Sequence, residues 1–257
     1  MRIVRFLRQD DPPKWGWLED KHVGLLSASP FEPFNRTESQ ILLDKVQLLP
    51  PVKPGKIIAV GRNYIEHAQE HQVEVPDRPL IFLKPASSVV GPTDKIYLPP
   101  QSQQVEYEAE LAIVIGKQGR WIDILDVDKY ILGYTIANDV TARDLQASDG
   151  QWTRAKGFDT FCPLGPWIET SLDPSDILVT SRLNGEIRQM TSTREMVFNI
   201  PQLIVYISSI MTLMPGDVVL SGTPAGVGKL SAGDLISISI EGIGELVNSV
   251  EIDSHPR

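Results

Sequence analysis

Short apolar stretches, each bounded by glycine, proline or another turn-forming residue, recur along the chain. Because strands are short and enriched in β-branched and apolar residues, this pattern predicts a protein rich in β-strands. The stretches in the middle of the chain are continuously apolar and predict buried strands. The predicted strands cover residues 2–7, 15–18, 22–26, 56–60, 79–84, 105–116, 130–138, 217–220 and 234–240.

One longer stretch has the period of an α-helix. Between residues 197 and 213 apolar side chains recur close to every 3.6 positions, and Pro201 is tolerated in a first helical turn. A shorter helix is predicted over residues 65–72, after a turn at residues 61–64. Many strands and few helices together predict an α+β fold with a β-rich core.

A proline-rich stretch divides the pattern. Pro50, Pro51 and Pro54 fall within five residues, and such a segment can continue neither a helix nor a central strand. We therefore predict a small β-rich N-terminal domain over residues 1–52 and a larger domain over residues 53–257.

The net charge and the cysteine content limit the kinds of partner and metal site that the protein could have. The formal net charge of -9 and the lack of any Lys or Arg cluster argue against nucleic-acid binding. No run of about 18 apolar residues is present to span a membrane, and the N-terminus has no signal-peptide core, so we expect a cytoplasmic protein. Cys162 is the only cysteine. A metal site would therefore need carboxylate or imidazole ligands.

Three glutamates alternate at the start of the most apolar predicted strand. Glu106, Glu108 and Glu110 would lie on one face, because side chains two residues apart in a strand share a face. Like charges beside a buried segment are costly unless a cation neutralises them, and oxygen ligands favour a hard divalent ion. A solvated acidic edge strand is the alternative. Asp139, which follows another apolar strand, fits either a metal ligand or a helix N-cap.

His67 and Glu70 are three residues apart in the short predicted helix. A carboxylate against an imidazole fixes its tautomer and raises its basicity, which suits a general base, although an ordinary polar surface helix would show the same spacing. With His71 these residues also spell a zinc-protease pattern. That pattern requires a long buried helix and a third ligand downstream, whereas this segment is polar and bounded by Gly61 and Pro76.

Five segments over residues 53 to 252 resemble, in this order, the fumarylacetoacetate hydrolase family. They are Gly61-Arg62-Asn63-Tyr64 with His67, Phe82-Leu83-Lys84-Pro85, Glu108-Ala109-Glu110-Leu111, Asp139-Val140-Thr141-Ala142-Arg143-Asp144, and Gly222-Thr223-Pro224 followed by Gly226-Val227-Gly228. The resemblance implies the β-rich fold of that family, a mixed β-sandwich roll, and a homodimer. It is strongest to short bacterial and mitochondrial members.

The resemblance also implies roles for individual residues. Mg²⁺ or Mn²⁺ would be held by Glu108, Glu110 and Asp139, while Glu106 would not be a ligand. His67 with Glu70 would activate water or carry a proton on a segment that closes over the substrate.

Four further positions match the family's site. Lys156 corresponds to its active-site lysine, and Thr223 would hold the substrate carboxylate in a glycine-rich turn. Arg62 and Lys84 are further candidates for substrate binding.

These roles predict an enzyme that cleaves a C–C bond of a small 2-oxo acid through a metal-bound enolate. The reaction would be acylpyruvate hydrolysis or oxaloacetate decarboxylation. Oxaloacetate keto-enol tautomerisation is the alternative, and a metal-binding protein without activity is an alternative of another class.

Overall fold

The structure, a computed structural model, describes residues 1–9, 11–70, 72 and 74–254. Strands make up most of the regular structure in these residues, which confirms the predicted β-rich fold. The strands are β1 (Arg2–Leu7), β2 (Lys14–Glu19), β3 (His22–Leu25), β4 (Ile41–Leu42), β5 (Gln47–Leu48), β6 (Ile57–Gly61), β7 (Leu80–Lys84), β8 (Val89–Val90), β9 (Lys95–Leu98), β10 (Val105–Tyr107), β11 (Ala109–Ile115), β12 (Ile131–Asn138), β13 (Thr141–Ala142), β14 (Cys162–Glu169), β15 (Leu178–Leu183), β16 (Glu186–Ser192), β17 (Val218–Leu220), β18 (Gly228–Lys229), β19 (Leu235–Ile240) and β20 (Gly244–Ile252).

The helices are few and short. The α-helices are α1 (Ile65–Glu70), α2 (Arg143–Asp149), α3 (Thr153–Lys156) and α4 (Ile200–Ile210), and short 3-10 turns cover Leu43–Lys45, Ala86–Ser88, Ile124–Lys129 and Thr193–Glu195. α4 lies within the range predicted at residues 197–213. It begins later than predicted because Asn199 and Gln202 form a capping box that fixes its first turn.

The strands form three sheets in the described residues. The largest runs β4-β3-β2-β1-β14-β12-β11-β17-β6-β7, with β5 beside β1 and β8 beside β14. A second sheet runs β16-β15-β19-β20-β9, and a small third sheet runs β13-β10-β18. Most pairs are antiparallel, but β17 runs parallel to β6, so the largest sheet is mixed.

The N-terminal strands continue the largest sheet. β1 pairs antiparallel with β14, with Arg2 opposite Glu169 and Ile3 opposite Ile168. Backbone hydrogen bonds therefore join residues on either side of the predicted boundary at residue 52, which itself stays a prediction.

β11 is the strand that positions the site. Its apolar residues are buried on both faces, with Leu111 and Ile113 in one core cluster and Ala112 and Val114 in another. Burial on both faces explains why this stretch of sequence is continuously apolar. The antiparallel register sets Glu110 opposite Ala137 of β12, so that Asp139 follows the end of β12 close to the start of β11.

The single strand predicted over residues 105–116 is divided in the structure. β10 ends at Tyr107 and joins the small sheet, whereas β11 begins at Ala109 in the large one. The interruption falls at Glu108, whose backbone N–H donates to Oδ1 of Asn138 at 3.0 Å and whose carbonyl accepts from Asp139 N at 2.9 Å. These bonds satisfy the Glu108 backbone where the ladder is broken.

Among the described strands longer than two residues, five were not predicted from the sequence: β9, β14, β15, β16 and β20. β14 is the most instructive, because it lies between β1 and β12 and yet contains Pro163, Gly165 and Pro166. Proline lacks the N–H that a ladder needs and normally indicates an edge strand or none. The ladder between β14 and β12 is irregular, with a register shift between Tyr134 and Ile136, which is compatible with missing donors.

Candidate metal and substrate site

Three carboxylates meet where β11 begins and β12 ends. Glu108, Glu110 and Asp139 are buried, and each offers an oxygen that lies within 4.8 Å of the others. Residues from two strands are brought together here because β11 and β12 are paired antiparallel neighbours. The cluster is therefore inside the protein, and the alternative of a solvated acidic edge does not apply to these three side chains.

The two glutamates differ in their electrostatic environment. Burial raises the pKa of Glu110 well above its usual value, and the neighbouring charges of Asp139 and Glu108 raise it further. Burial also disfavours the ionised form of Glu108, but the cations Lys156 and Arg143 outweigh this and lower its pKa. The Gly222 N–H donates to Oε2 of Glu110 at 2.6 Å and fixes its orientation.

Two buried lysines contact the cluster. Lys156, on α3, donates to Glu108 Oε2 at 2.8 Å and to Asp139 Oδ2 at 2.7 Å. Burial alone would lower the pKa of Lys156, but the charges of Asp139 and Glu108 prevail and raise it. Lys156 is therefore favoured as an ammonium at the carboxylates.

Lys84 lies behind the cluster. Its Nζ is 2.6 Å from Asp139 Oδ1, in an ion pair whose angles do not suit a hydrogen bond, and it donates to the carbonyls of Lys156 at 2.6 Å and Val140 at 3.3 Å. Its side chain has no exposed surface. Because Lys84 is buried and paired with Asp139, it is better suited to positioning Asp139 than to contacting the substrate.

Glu106 is held apart from the other glutamates. Arg143, at the start of α2, donates through Nε to Glu106 Oε2 at 2.7 Å and through an amino group to Glu108 Oε1 at 2.6 Å. Gln104 also donates to Glu106 at 2.6 Å. The structure thus gives Glu106 a salt bridge to Arg143 and leaves it outside the cluster of Glu108, Glu110 and Asp139.

His67 and Glu70 are paired on α1, with 3.3 Å between Nδ1 and Oε2. Glu70 also accepts from the Gly226 N–H in the glycine-rich turn. His67 is buried at the cavity, and its positive charge when protonated would lower the pKa of Glu108. The third member of the zinc-protease pattern, His71, lies outside the described residues. Within the described residues α1 covers six positions, which is short for the buried helix such a site requires.

Thr223 and Arg62 both line the cavity. The hydroxyl of Thr223 donates to the Ala109 carbonyl at 2.9 Å and accepts from Gln189 at 2.8 Å, so its proton is already used within the protein. Arg62 has a φ of 59°, in the left-handed region.

A cavity of about 310 Å³ opens onto the carboxylates. One wall is aromatic, because Phe82 and Trp152 pack edge to face with ring centroids 5.2 Å apart. Gly61 is required beside them, since a Cβ at this position would lie 2.8 Å from the Trp152 ring. The cavity is therefore suited to a small, charged molecule with a polar and an apolar side.

The donor set fits a hard divalent cation. All three ligands are carboxylates, whose oxygens favour Mg²⁺ or Mn²⁺ over softer metals. Burial and the charges of Asp139 and Glu108 raise the pKa of Glu110, so its ionised form is unfavourable in the protein alone, and a bound cation would offset this cost. One side of the cluster faces the cavity, which allows a bound ion to keep positions open for substrate oxygens.

Sequence reasoning missed several residues of the cavity. Arg143, Gln146 and Trp152 line it, although no role was predicted for them. Arg143 belongs to the segment Asp139 to Asp144 that resembles the family. Gln146 lies three residues after it, on the same face of α2, so the helical period could have identified both residues. Trp152 is aromatic and adjacent to the segment of Lys156, but a tryptophan is more often a core residue.

Oxygen ligands facing a cavity of small-molecule size indicate a metal-dependent enzyme. The comparison with family models agrees and is more specific. The model described as fumarylacetoacetate (FAA) hydrolase C-terminal matches residues 56–251, and the chain belongs to this family of enzymes. A second model, Rv2993c-like, N-terminal, matches residues 1–51.

Three similar proteins illustrate the range of the family. The mitochondrial oxaloacetate tautomerase Fahd2a of Rattus norvegicus is 47% identical over 214 residues, which cover 79% of this chain and 68% of the relative. The structure of 5-carboxymethyl-2-hydroxymuconate delta-isomerase from Mycobacterium smegmatis is 44% identical, with a TM-score of 0.91 over 98% of this chain and 100% of that one. Maleylpyruvate hydrolase from Sphingobium sp. SYK-6, solved with manganese(II) and pyruvate, is 33% identical, with a TM-score of 0.81 over 98% and 99%.

The described residues contain no helix long and apolar enough to cross a membrane.

Proposed function

We propose that this protein is a Mg²⁺- or Mn²⁺-dependent enzyme that cleaves a C–C bond of a small 2-oxo acid, by hydrolysis of an acylpyruvate or decarboxylation of oxaloacetate. The observation that carries the proposal is the cluster of Glu108, Glu110 and Asp139 facing the cavity. When bound, the ion would supply a Lewis acid that draws electron density towards the carboxylate and 2-oxo oxygens of the substrate.

Lys156 would stabilise the negative charge that develops on the 2-oxo oxygen as the bond between C3 and C4 breaks. Its ammonium is fixed by Glu108 and Asp139 beside the cavity, so little reorganisation is needed during reaction. The same ammonium can return a proton at the end of the reaction.

His67 would remove or deliver protons. Glu70 Oε2 lies 3.3 Å from Nδ1 and would orient the ring. The imidazole would then exchange a proton with water or with the substrate. Hydrolysis needs this base to activate water, whereas decarboxylation needs no water at all.

Oxaloacetate keto-enol tautomerisation is a second candidate, and the 47% identity to the Rattus norvegicus oxaloacetate tautomerase supports it. Tautomerisation would use the same charge stabilisation, with proton transfer at C3 in place of bond cleavage. Tautomerisation and C–C bond cleavage would both use His67 and Lys156 as catalytic groups.

The experiment compares three rates at fixed Mg²⁺: acylpyruvate hydrolysis, oxaloacetate decarboxylation and oxaloacetate enol conversion. Wild type, His67→Ala and Lys156→Ala are assayed, with metal-free protein as the blank. If hydrolysis is native, His67→Ala should lose about 10²-fold in hydrolysis but much less in decarboxylation. If enol conversion is far faster than both cleavage rates in wild type, tautomerisation replaces cleavage.

Two further results would count against the proposal. Equal losses of His67→Ala in all three assays would contradict water activation and indicate a shared proton carrier. Metal binding without turnover of either substrate would support a non-catalytic binding protein.

A further inference from the structure

Arg62 differs from the other cations around the cavity. Arg143 and Lys156 are both bonded to carboxylates of the protein, as described above. The half-buried side chain of Arg62 forms no hydrogen bond or ion pair with another residue of the described chain, although the residue lines the cavity. Its positive charge is therefore available to a ligand.

The backbone holds Arg62 in a conformation that costs energy. A φ of 59° is unfavourable for a residue with a Cβ, and such residues persist where their surroundings fix them, often at ligand sites. The neighbouring Asn63 supplies this fixation: its side chain donates to the carbonyls of Ser221 at 2.7 Å and Phe198 at 3.0 Å and accepts from Phe198 N at 2.8 Å. On the other side, Gly61 packs against Trp152.

The formal charges around the carboxylate cluster determine whether Arg62 has a negative charge to pair with. The buried cluster and its partners carry one more formal negative charge than positive: the carboxylates are Glu106, Glu108, Glu110 and Asp139, and the cations are Lys84, Arg143 and Lys156. A divalent ion changes this balance to one net positive charge. The carboxylate of a 2-oxo acid would then neutralise it. Glu70 adds a negative charge near the cavity, but it lies against His67 and accepts from the Gly226 N–H, so Arg62 would remain without a bonded counter-charge.

We propose that Arg62 binds a second carboxylate, so that the preferred substrates are 2-oxo dicarboxylic acids rather than 2-oxo acids with one carboxylate. This inference rests on the proposed function, because it assumes that the first carboxylate lies at the metal. A guanidinium forms two parallel hydrogen bonds to a carboxylate, which gives both affinity and orientation.

Other polar residues at the cavity or behind it are poorly suited to this role. Lys84 is surrounded by Asp139 and two backbone carbonyls. The hydroxyl of Thr223 already donates its proton to the Ala109 carbonyl. Arg143 already bridges Glu106 and Glu108. Arg62 is thus the group that distinguishes a dianion from a monoanion.

The test uses two ligands that differ by one charge, oxaloacetate and its 4-ethyl ester. Binding to the Mn²⁺-loaded protein is followed within seconds by stopped-flow tryptophan fluorescence, since Trp152 lines the cavity. Wild type should bind oxaloacetate about tenfold or more tightly than the ester, the usual effect of one hydrogen-bonded ion pair. Turnover of both ligands is measured in parallel.

Arg62→Leu should abolish this preference while the affinity for the ester changes by less than about threefold, and Arg62→Lys should retain part of it. Arg194→Leu, which removes an exposed arginine elsewhere, is the matched control and should behave as wild type. Equal weakening of both ligands by Arg62→Leu, or no preference in wild type, would overturn the proposal. Preferential binding of oxaloacetate that is lost in Arg62→Leu, without turnover of either ligand, would instead leave the role of Arg62 intact and refute oxaloacetate decarboxylation as the function.

Discussion

Lys84 Nζ lies 2.6 Å from Asp139 Oδ1, and both side chains are almost completely excluded from solvent. Removing one member of a buried ion pair costs about 3–5 kcal/mol when the remaining charge is uncompensated. Asp139 would keep Lys156 as a partner, so we expect Lys84→Met to lower the free energy of unfolding of the metal-free protein by an amount near the lower end of this range, about 3 kcal/mol. Urea unfolding measures it.

The matched control for Lys84 is Lys95, which pairs with Glu251 at the surface. Lys95→Met should change stability by at most about 1 kcal/mol, as exposed pairs do. Similar small effects for both substitutions would show that Lys84 does not support Asp139.

The ligand assignment predicts that substitutions of Glu110 and Glu106 affect metal affinity differently. Glu110→Gln should weaken Mn²⁺ binding by more than about 100-fold, beyond the roughly 10–100-fold cost of losing an outer partner. Glu106→Gln should weaken it by about tenfold or less, because Glu106 is linked to Glu108 only through Arg143. Titration calorimetry with Mn²⁺ distinguishes the two. If Glu106→Gln abolishes binding and Glu108→Gln has no effect, the assignment is wrong.

Metal-free Glu110→Gln should be at least as stable as the wild type. Burial and the charges of Asp139 and Glu108 raise the pKa of Glu110, so its ionised form opposes folding at neutral pH. Thermal unfolding at pH 7 without metal tests this, and a marked loss of stability would mean that Glu110 has a structural role besides metal binding.

Cys162 should be unreactive in the folded protein. Burial raises the pKa of its thiol to about 12, and only the thiolate is nucleophilic. At pH 8 a thiol reagent should react with one cysteine per chain in urea and with almost none in buffer. Rapid labelling of the native protein would contradict the buried position of this residue.

We expect Asp144 to make a pH-dependent contribution to the free energy of unfolding. Burial would raise its pKa, but hydrogen bonds from Ser102, Gln103 N and Leu145 N outweigh this and lower it. Because the folded-state pKa is depressed, the stabilisation is present above the usual pKa of an aspartate and is lost as pH falls through the folded value. Asp144→Asn should thus be less stable than wild type at pH 7, with a difference that shrinks at acid pH. An equal difference at both pH values would contradict this account.

The sequence by itself determined the β-rich class and most strands around the site, and its resemblance to the family selected Glu108, Glu110 and Asp139 as the expected ligands. The apolar run after Glu110 is the direct signature of a strand buried on both faces, and the alternating glutamates mark where it enters the core. The positions of α4 and β1 were also readable, because an apolar period near 3.6 residues marks α4 and a short apolar stretch marks β1.

Only the tertiary structure decided how these residues meet. The break at Glu108 and the central place of β14 depend on hydrogen bonds between segments distant in sequence, which no local pattern encodes. For the same reason, spacing could not separate Glu106 from Glu108 or show that Lys84 supports Asp139 while Arg62 is left unpaired. A charged side chain acquires its role from the charges packed around it, and packing is a property of the folded chain.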